Sequence, residues 1–293
     1  MEWIDICFNF THESFRPDRE AVLDRALELG VRWMLVTGAD PEQSEQAVAL
    51  AHDHNECLRA TLGVHPHLAK DWTDRVGKRF ETLVAEDRAA SNDQTSSSGP
   101  AIVALGEMGL DYHRNFSSVT DQARAFEAQL ELAADLEMPV FLHERDAYSD
   151  FARILERWRD RLLAAVVHCF TGDARALDHY LELDCHIGIT GWVCDERRGT
   201  HLHPLLPRIP RGRLMIETDA PYLLPRSLPK DSGKKIGNGR RNEPAFLPHI
   251  GDWVARLRGE TVVELAAHTT ATAREFYRLP NAMGSTVQAI DPA

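Results

Sequence analysis

The sequence is sparing with cysteine, and the five it has follow no pattern. Cys7, Cys57, Cys169, Cys185 and Cys194 are odd in number, and none stands in a CxxC pair. That argues against a disulfide framework or a thiolate zinc site and fits a reducing cytoplasm. Long apolar runs are missing as well. No stretch approaches the roughly 20 apolar residues that a membrane helix needs, and the opening MEWIDICFNF has no basic segment of a secretory signal. A soluble, cytoplasmic protein with no membrane partner is expected. Positive charge is in deficit, with a formal net charge of −12. Bulk electrostatic capture of nucleic acid is therefore disfavoured, and a nucleic-acid substrate would need a local basic patch or a metal ion. No GxGxxG follows the first apolar run, which removes the dinucleotide-binding sheet.

What is present is a steady alternation. Eight short apolar runs are expected as strands: 3–9, 33–38, 60–65, 101–107, 139–144, 164–170, 186–192 and 213–219. Amphipathic stretches lie between them at 17–30, 41–54, 72–90, 121–137, 146–158 and 173–184, with a weaker one near 199–206 and two more near 245–258 and 260–278. Pro17 opens the first and Gly30 closes it, the asymmetry of helix ends. Eight strand–helix units predict an α/β fold, a single-domain (β/α)8 TIM barrel over 1–279 with a tail at 280–293. An open doubly wound sheet is the alternative. SNDQTSSSGP at 91–100 reads as a flexible loop before the fourth strand, on the face away from an active site.

The strands end in metal-binding residue types. AAVVHCFTG places a titratable ring, His168, at the end of a buried apolar run. One such histidine would be a satisfied core residue, but the pattern recurs. Strand three ends at His65, strand four at Glu107, strand five at His143 and strand eight at Asp219. In a barrel these positions converge on one rim. Imidazole and carboxylate donors without thiolate suit zinc, manganese or magnesium. Such an ion lowers the pKa of bound water, and Asp219 is then a ligand or the base that takes the proton. Glu217 falls on the same strand face as Asp219, where it either orients a ligand or forms a plain ion pair. His65 is a substrate contact or a turn histidine. His52, His54 and His67 read as surface residues.

GVHPH, GE.GLDY, FLH.RDA, VVHCFTG, GITGW.CDERRG, IETDAPYLLPR and RRNEP.FLPHI stand in this order. Together they resemble the TatD family of metal-dependent deoxyribonucleases, within the amidohydrolase-like barrels, from about residue 3 to about 279. The resemblance implies a metal-dependent nuclease, a 3′–5′ exonuclease on single-stranded DNA with RNA a second candidate substrate. It implies Glu107, His143 and His168 as ligands, Asp219 as ligand or base, and magnesium as the usual ion. One departure stands out. Many members carry D-x-H-x-H on the first strand, and here Cys7 and Asn9 occupy the two histidine positions. Strand alternation puts His12 on the other face, so it does not replace them. One of two metal sites should be weakened or reshaped, with fewer than two ions tightly bound.

The segment 225–244 supplies local positive charge. Arg226, Lys230, Lys234, Lys235, Arg240 and Arg241 stand against Asp231 and Glu243, a net +4. With Arg145 beside His143 and Arg197 and Arg198 after strand seven, it could contact phosphates on the rim. Trp192, Phe170 and Tyr222 are either base-stacking or packing residues. Three readings follow: a phosphodiesterase using metal-activated water; a small-molecule hydrolase of amide, lactone or C–N bonds on the same barrel; or a non-catalytic metal-binding scaffold. The set Glu107, His143, His168 and Asp219 weighs against the third. A monomer is expected, since no exposed apolar stripe is evident.

Overall fold

The computed structural model describes residues 1–91, 99–229 and 240–280. Most of the 91–100 loop, Lys230, Asp231, Lys234, Lys235 and the end of the tail lie outside them. Eight parallel strands run in the order of the chain: β1 (Trp3–Phe8), β2 (Val31–Val36), β3 (Leu58–Leu62), β4 (Ile102–Asp111), β5 (Val140–Arg145), β6 (Ala165–Val167), β7 (His186–Ile189) and β8 (Leu214–Ile216). The ring closes where Phe8 bridges Ala220 and Asp219 N donates to Cys7 O at 3.0 Å. This is a single-domain (β/α)8 barrel. Among the described residues no helix is long and apolar enough to cross a membrane.

Helices α1 (Arg19–Glu28), α2 (Pro41–Asp53), α3 (Asp74–Ser91), α4 (Val119–Asp135), α5 (Tyr148–Trp158) and α6 (Ala174–Glu182) follow the first six strands. The expected helix near 199–206 is replaced by two 3-10 turns, Thr200–Leu202 and Leu206–Arg208. Pro204 and Pro207 explain the correction, since each removes a helix N–H and crowds the preceding turn. After β8 come α7 (Leu247–Arg258) and α8 (Val262–Tyr277), the latter started by a Thr261–Glu264 capping box.

Side-chain alternation sorts the strands into two layers. Ile4, Ile6, Trp33, Leu35, Phe141, Val166 and Met215 form one buried cluster, joined by Phe276 and Tyr277 from the end of α8. Their neighbours Met34, Val36, Val140, Leu142, Val167 and Leu214 belong to the other cluster, with the helices. The inward series runs on past the apolar layer into polar residues. Phe141 leads to His143 and Arg145, Val166 to His168, and Met215 to Glu217 and Asp219. Backbone pairing continues beyond the short strands: His168 N donates to Leu142 O and Glu217 N to Ile189 O, at 2.9 and 3.0 Å. The ligand candidates therefore sit on rigid, hydrogen-bonded chain.

Strand β4 is irregular where it carries Glu107. Its register against β5 shifts between Leu105 and Met108, the kind of bulge that re-aims a side chain. Gly109 allows β5 to lie close. Its φ is +146°, and a Cβ there would stand 1.9 Å from His143 O. Gly109→Ala is expected to destabilise the protein by at least about 2 kcal/mol, measured by urea unfolding. A wild-type midpoint would show that β4 and β5 can part at no cost.

Candidate active site

Three imidazoles converge on one carboxylate oxygen. Glu107 Oε1 lies 2.8 Å from His168 Nε2, 2.9 Å from His143 Nδ1 and 3.3 Å from His65 Nε2. Glu107 and His168 are only 6% and 4% exposed. Burial alone would raise the Glu107 pKa, but the His65 and His168 rings, with hydrogen bonds from His143 and His168, hold it well below the usual range. His168 moves the other way. Burial would lower its pKa, and the carboxylates of Glu107 and Glu217 push it well above the ordinary value. His143 is raised against its burial by Asp111 and Glu107. The pocket thus draws cationic charge toward Glu107.

His65 plays a different part from its neighbours. Its Nδ1 accepts from His67 N at 3.0 Å, capping the 3-10 turn Pro66–Asp71. Burial lowers its pKa to about 4, so the ring is neutral and its proton sits on Nε2, where it donates to Glu107. It is both a turn residue and a member of the cluster.

Asp219 has φ +55°, a left-handed backbone uncommon outside glycine. Its Oδ1 accepts from Asn9 Nδ2 at 2.9 Å and from Cys7 Sγ at 3.5 Å. The Asn9 amide also donates to Ala220 O at 3.2 Å, and two acceptors on one side place its nitrogen there. Cys7 and Asn9, the residues at the histidine-pair positions, therefore hold Asp219. Burial pushes the Asp219 pKa up to about 7. Glu217 is fully buried and accepts from Cys169 N, while its Oε2 lies 3.5 Å from His168 Nδ1. It orients His168 from behind. Gly188 on β7 leaves it room, since a Cβ there would stand 2.8 Å from Glu217 Oε1.

These side chains line a cavity of about 730 Å³ at the C-terminal end of the barrel, a size that accepts a small ligand or a nucleotide. Arg145, Trp192 and Tyr222 line it, and so do Arg114, Glu144 and Phe116. Asp111 and His67 also belong to the site, which the pattern of strand ends did not indicate. Asp111 is buried and its Oδ2 lies 2.9 Å from His67 Nε2 and 3.4 Å from His143 Nε2. His67, expected on the surface, lines the cavity and is tied to the site through this carboxylate. The quoted motif GE.GLDY held the signal, because alternation puts residue 111 on the face of residue 107. His12 is a second correction. Strand β1 stops at Phe8, so its alternation does not reach residue 12, and His12 caps a 3-10 turn at the cavity wall. His52 and His54 lie beside Asp87 and Glu20 and do not line the cavity.

The basic residues divide. Arg241, expected at the substrate, is buried beneath the rim. Its guanidinium donates to Asp18 at 2.7 and 2.8 Å, to Glu243 at 2.7 Å and to Ser14 O, and lies 4.6 Å over the Phe15 ring. Both terminal nitrogens are committed to the fold. Arg197 and Arg198 pair with buried Asp195, and Arg226 comes within 3.9 Å of the same carboxylate. Burial would raise Asp195, but hydrogen bonds from the Arg197 backbone and the two guanidinium groups hold it at about 2. Arg198 also covers Trp192 at 4.4 Å. Arg240 is exposed, and neither it nor Arg197 lines the cavity. Phe170 is buried against Tyr180 and is a packing residue.

The donor set suits a divalent ion. It offers imidazole nitrogen and carboxylate oxygen, and His65, Glu107 and His143 group within metal-binding reach of one another, as do Cys7, His168 and Glu217. Three buried atoms here, His143 Nε2, His168 Nδ1 and Glu217 Oε2, have a partner only at ion-pair distance and make no hydrogen bond of good geometry, which is uncommon for buried polar atoms.

Residues 4–278 match the family model described as TatD related DNase. The chain is 48% identical over 276 residues to a protein of Pectobacterium carotovorum subsp. carotovorum named "3'-5' ssDNA/RNA exonuclease TatD", covering 94% of this chain and 99% of that one. A protein of the same name from Erwinia tasmaniensis is 48% identical over 275 residues, with the same coverage. Among solved structures, the TatD homologue YJJV of Escherichia coli K12 superposes with a TM-score of 0.81 at 26% identity, over 95% of this chain and 98% of that one.

Removing Arg241 tests the division of the basic residues. Arg241→Ala should cost roughly 3 kcal/mol of stability by leaving buried Glu243 and half-buried Asp18 short of a partner, whereas Arg145→Ala should leave unfolding unchanged. Asp18 is held below its usual 3.8 chiefly by Arg241. Its share of the loss is full above that pH and fades as acid protonates the carboxylate. Equal stability of Arg241→Ala and wild type would return Arg241 to the list of free surface cations.

Proposed function

The chain belongs to the TatD-related DNase family, and on that premise we propose that it is a metal-dependent 3′–5′ exonuclease hydrolysing single-stranded DNA or RNA. The observation that carries the reading is the convergence of His65, His143 and His168 on Glu107 Oε1, inside a cavity also lined by Arg114 and Arg145. Glu107, His143 and His168 would hold the ion, magnesium in preference to manganese or zinc, with Asp219 beside it as a further ligand or as the base. A divalent ion bound there supplies an acidified water and polarises the phosphoryl group.

The chain's own residues do the rest. His65 donates to Glu107 and fixes its carboxylate, Asp111 steadies His143, and Glu217 steadies His168. Asn9 and Cys7 hold Asp219 by Oδ1, leaving Oδ2 to take the proton of the attacking water. Arg145 on β5 offers a planar fork to a phosphate oxygen. Because Cys7 and Asn9 serve Asp219, one tightly held ion per chain is expected rather than two. We place the protein in the cytoplasm, on its odd, unpatterned cysteines, and read it as a monomer. The small-molecule hydrolase is not favoured by the exonuclease names of the relatives.

The experiment is hydrolysis of a 5′-labelled single-stranded oligonucleotide with magnesium, manganese or chelator. A ladder shortening from the 3′ end should form with metal, vanish with chelator, and fall at least about a thousandfold in Glu107→Ala. Full activity of Glu107→Ala would sink the ligand assignment. A folded protein inactive on every oligonucleotide would redirect the search to amides and lactones.

A further inference from the structure

Large apolar side chains left in water are few here: Met1, Leu29, Phe116, Val119, Leu163, Tyr222 and Val263 among the described residues. Two of them are aromatic, Phe116 at 63% exposure and Tyr222 at 52%, and both line the cavity that holds Glu107. They follow β4 and β8, which stand four places apart in a ring of eight, so they rise from opposite sides of the rim. We propose that Phe116 and Tyr222 form a two-sided stacking clamp for the bases at the end of a single strand. The inference rests on the nuclease reading above and specifies how that site takes its substrate.

Each ring is mounted on fixed backbone. Beside Phe116, Asn115 Nδ2 donates to Tyr112 O at 2.7 Å, and buried Ser117 donates to His67 O at 2.9 Å while its own carbonyl accepts from Gln122 Nε2 at 3.0 Å. The His67 ring meets Phe116 edge-on at 4.8 Å. On the other side, Tyr222 N donates to Asp219 O at 2.9 Å and Tyr222 O accepts from buried Asn242 Nδ2 at 2.7 Å. His12 meets its ring edge-on at 5.8 Å. The fold thus orders both loops, packs a histidine ring against each aromatic and leaves more than half of each residue exposed. Pre-ordered aromatics lose little freedom on binding, and stacking on them tolerates any base because every base has a π face. A base-paired end keeps its bases within the duplex stack, so the clamp selects unpaired strands. The seat of Phe116 on His67 also joins the clamp to Asp111 and the ligand shell.

Two oligonucleotides test this, one natural and one whose two 3′-terminal nucleotides lack bases. Steady-state kinetics are measured for wild type, Phe116→Ala, Tyr222→Ala, the double variant Phe116→Ala/Tyr222→Ala, Phe116→Trp and Tyr222→Phe. Each single alanine variant should raise KM for the natural strand about tenfold with kcat within about twofold, and the aromatic replacements should keep wild-type values. Removing both bases should cost the wild type about as much as the double variant Phe116→Ala/Tyr222→Ala loses, each single variant less, and that double variant nothing more. Unchanged KM in both single alanine variants, or an equal loss on base removal in wild type and the double variant, overturns the clamp alone. A wild type that shortens neither strand with magnesium or manganese overturns the nuclease reading, and the clamp falls with it.

Discussion

Glu107 is a carboxylate almost out of water, with one oxygen ringed by three imidazoles. An ionised group in that position is tolerated only if hydrogen bonds and positive charge replace its lost hydration. The rest of the site follows from this demand. His168 and His143 are driven toward their charged forms by Glu107 and by the carboxylates behind them, Glu217 and Asp111. His65 stays neutral and gives a hydrogen bond instead. Where protons meet the demand, the cluster is an ion-pair network. Where a divalent cation meets it, the same nitrogens and oxygens become ligands. An arrangement that attracts cations so strongly has little use as core packing.

The barrel delivers these groups through the alternation of its strands. The inner layer is apolar through Phe141, Val166 and Met215, and turns polar two residues later on each strand. A single register thus fills the core and builds the site, so a slip in one would be a slip in both. The closure of the ring matters equally. Asp5, fully buried, accepts from Thr218, and Cys7 and Asn9 reach across the β1–β8 seam to Asp219. The first strand contributes no imidazole. It holds the carboxylate of the last strand in place, which gives Cys7 and Asn9 a physical role at those two positions.

Much of this was readable from sequence, because it is written locally. Short apolar runs ending in His65, Glu107, His143, His168 and Asp219 signal both the barrel and its rim. What escaped depends on partners distant in the chain. Asp111 and His67 lie 44 positions apart and gain meaning only when β3 and β4 pair. Arg241 looks like any cation of a basic loop until Asp18, more than 200 residues earlier, is found beneath it. His12 was misjudged by extending strand periodicity past the point where β1 ends, and the helix near 199–206 by counting apolar spacing across Pro204. Phe116 gave no sign at all, since exposure of a ring is not legible in sequence.

Charge is distributed to match. The chain is acidic overall, yet Arg114 and Arg145 line the cavity while Arg197 and Arg198 gather on Asp195, so positive charge is concentrated locally rather than spread over the surface. The account rests on one claim, that the Glu107 cluster is a cation site. Anomalous diffraction from crystals of the protein grown with manganese tests it most directly. The account predicts one strong peak within bonding distance of Glu107, His143 and His168. Manganese absent from that cluster at saturating concentration, or bound elsewhere on the chain, would contradict it.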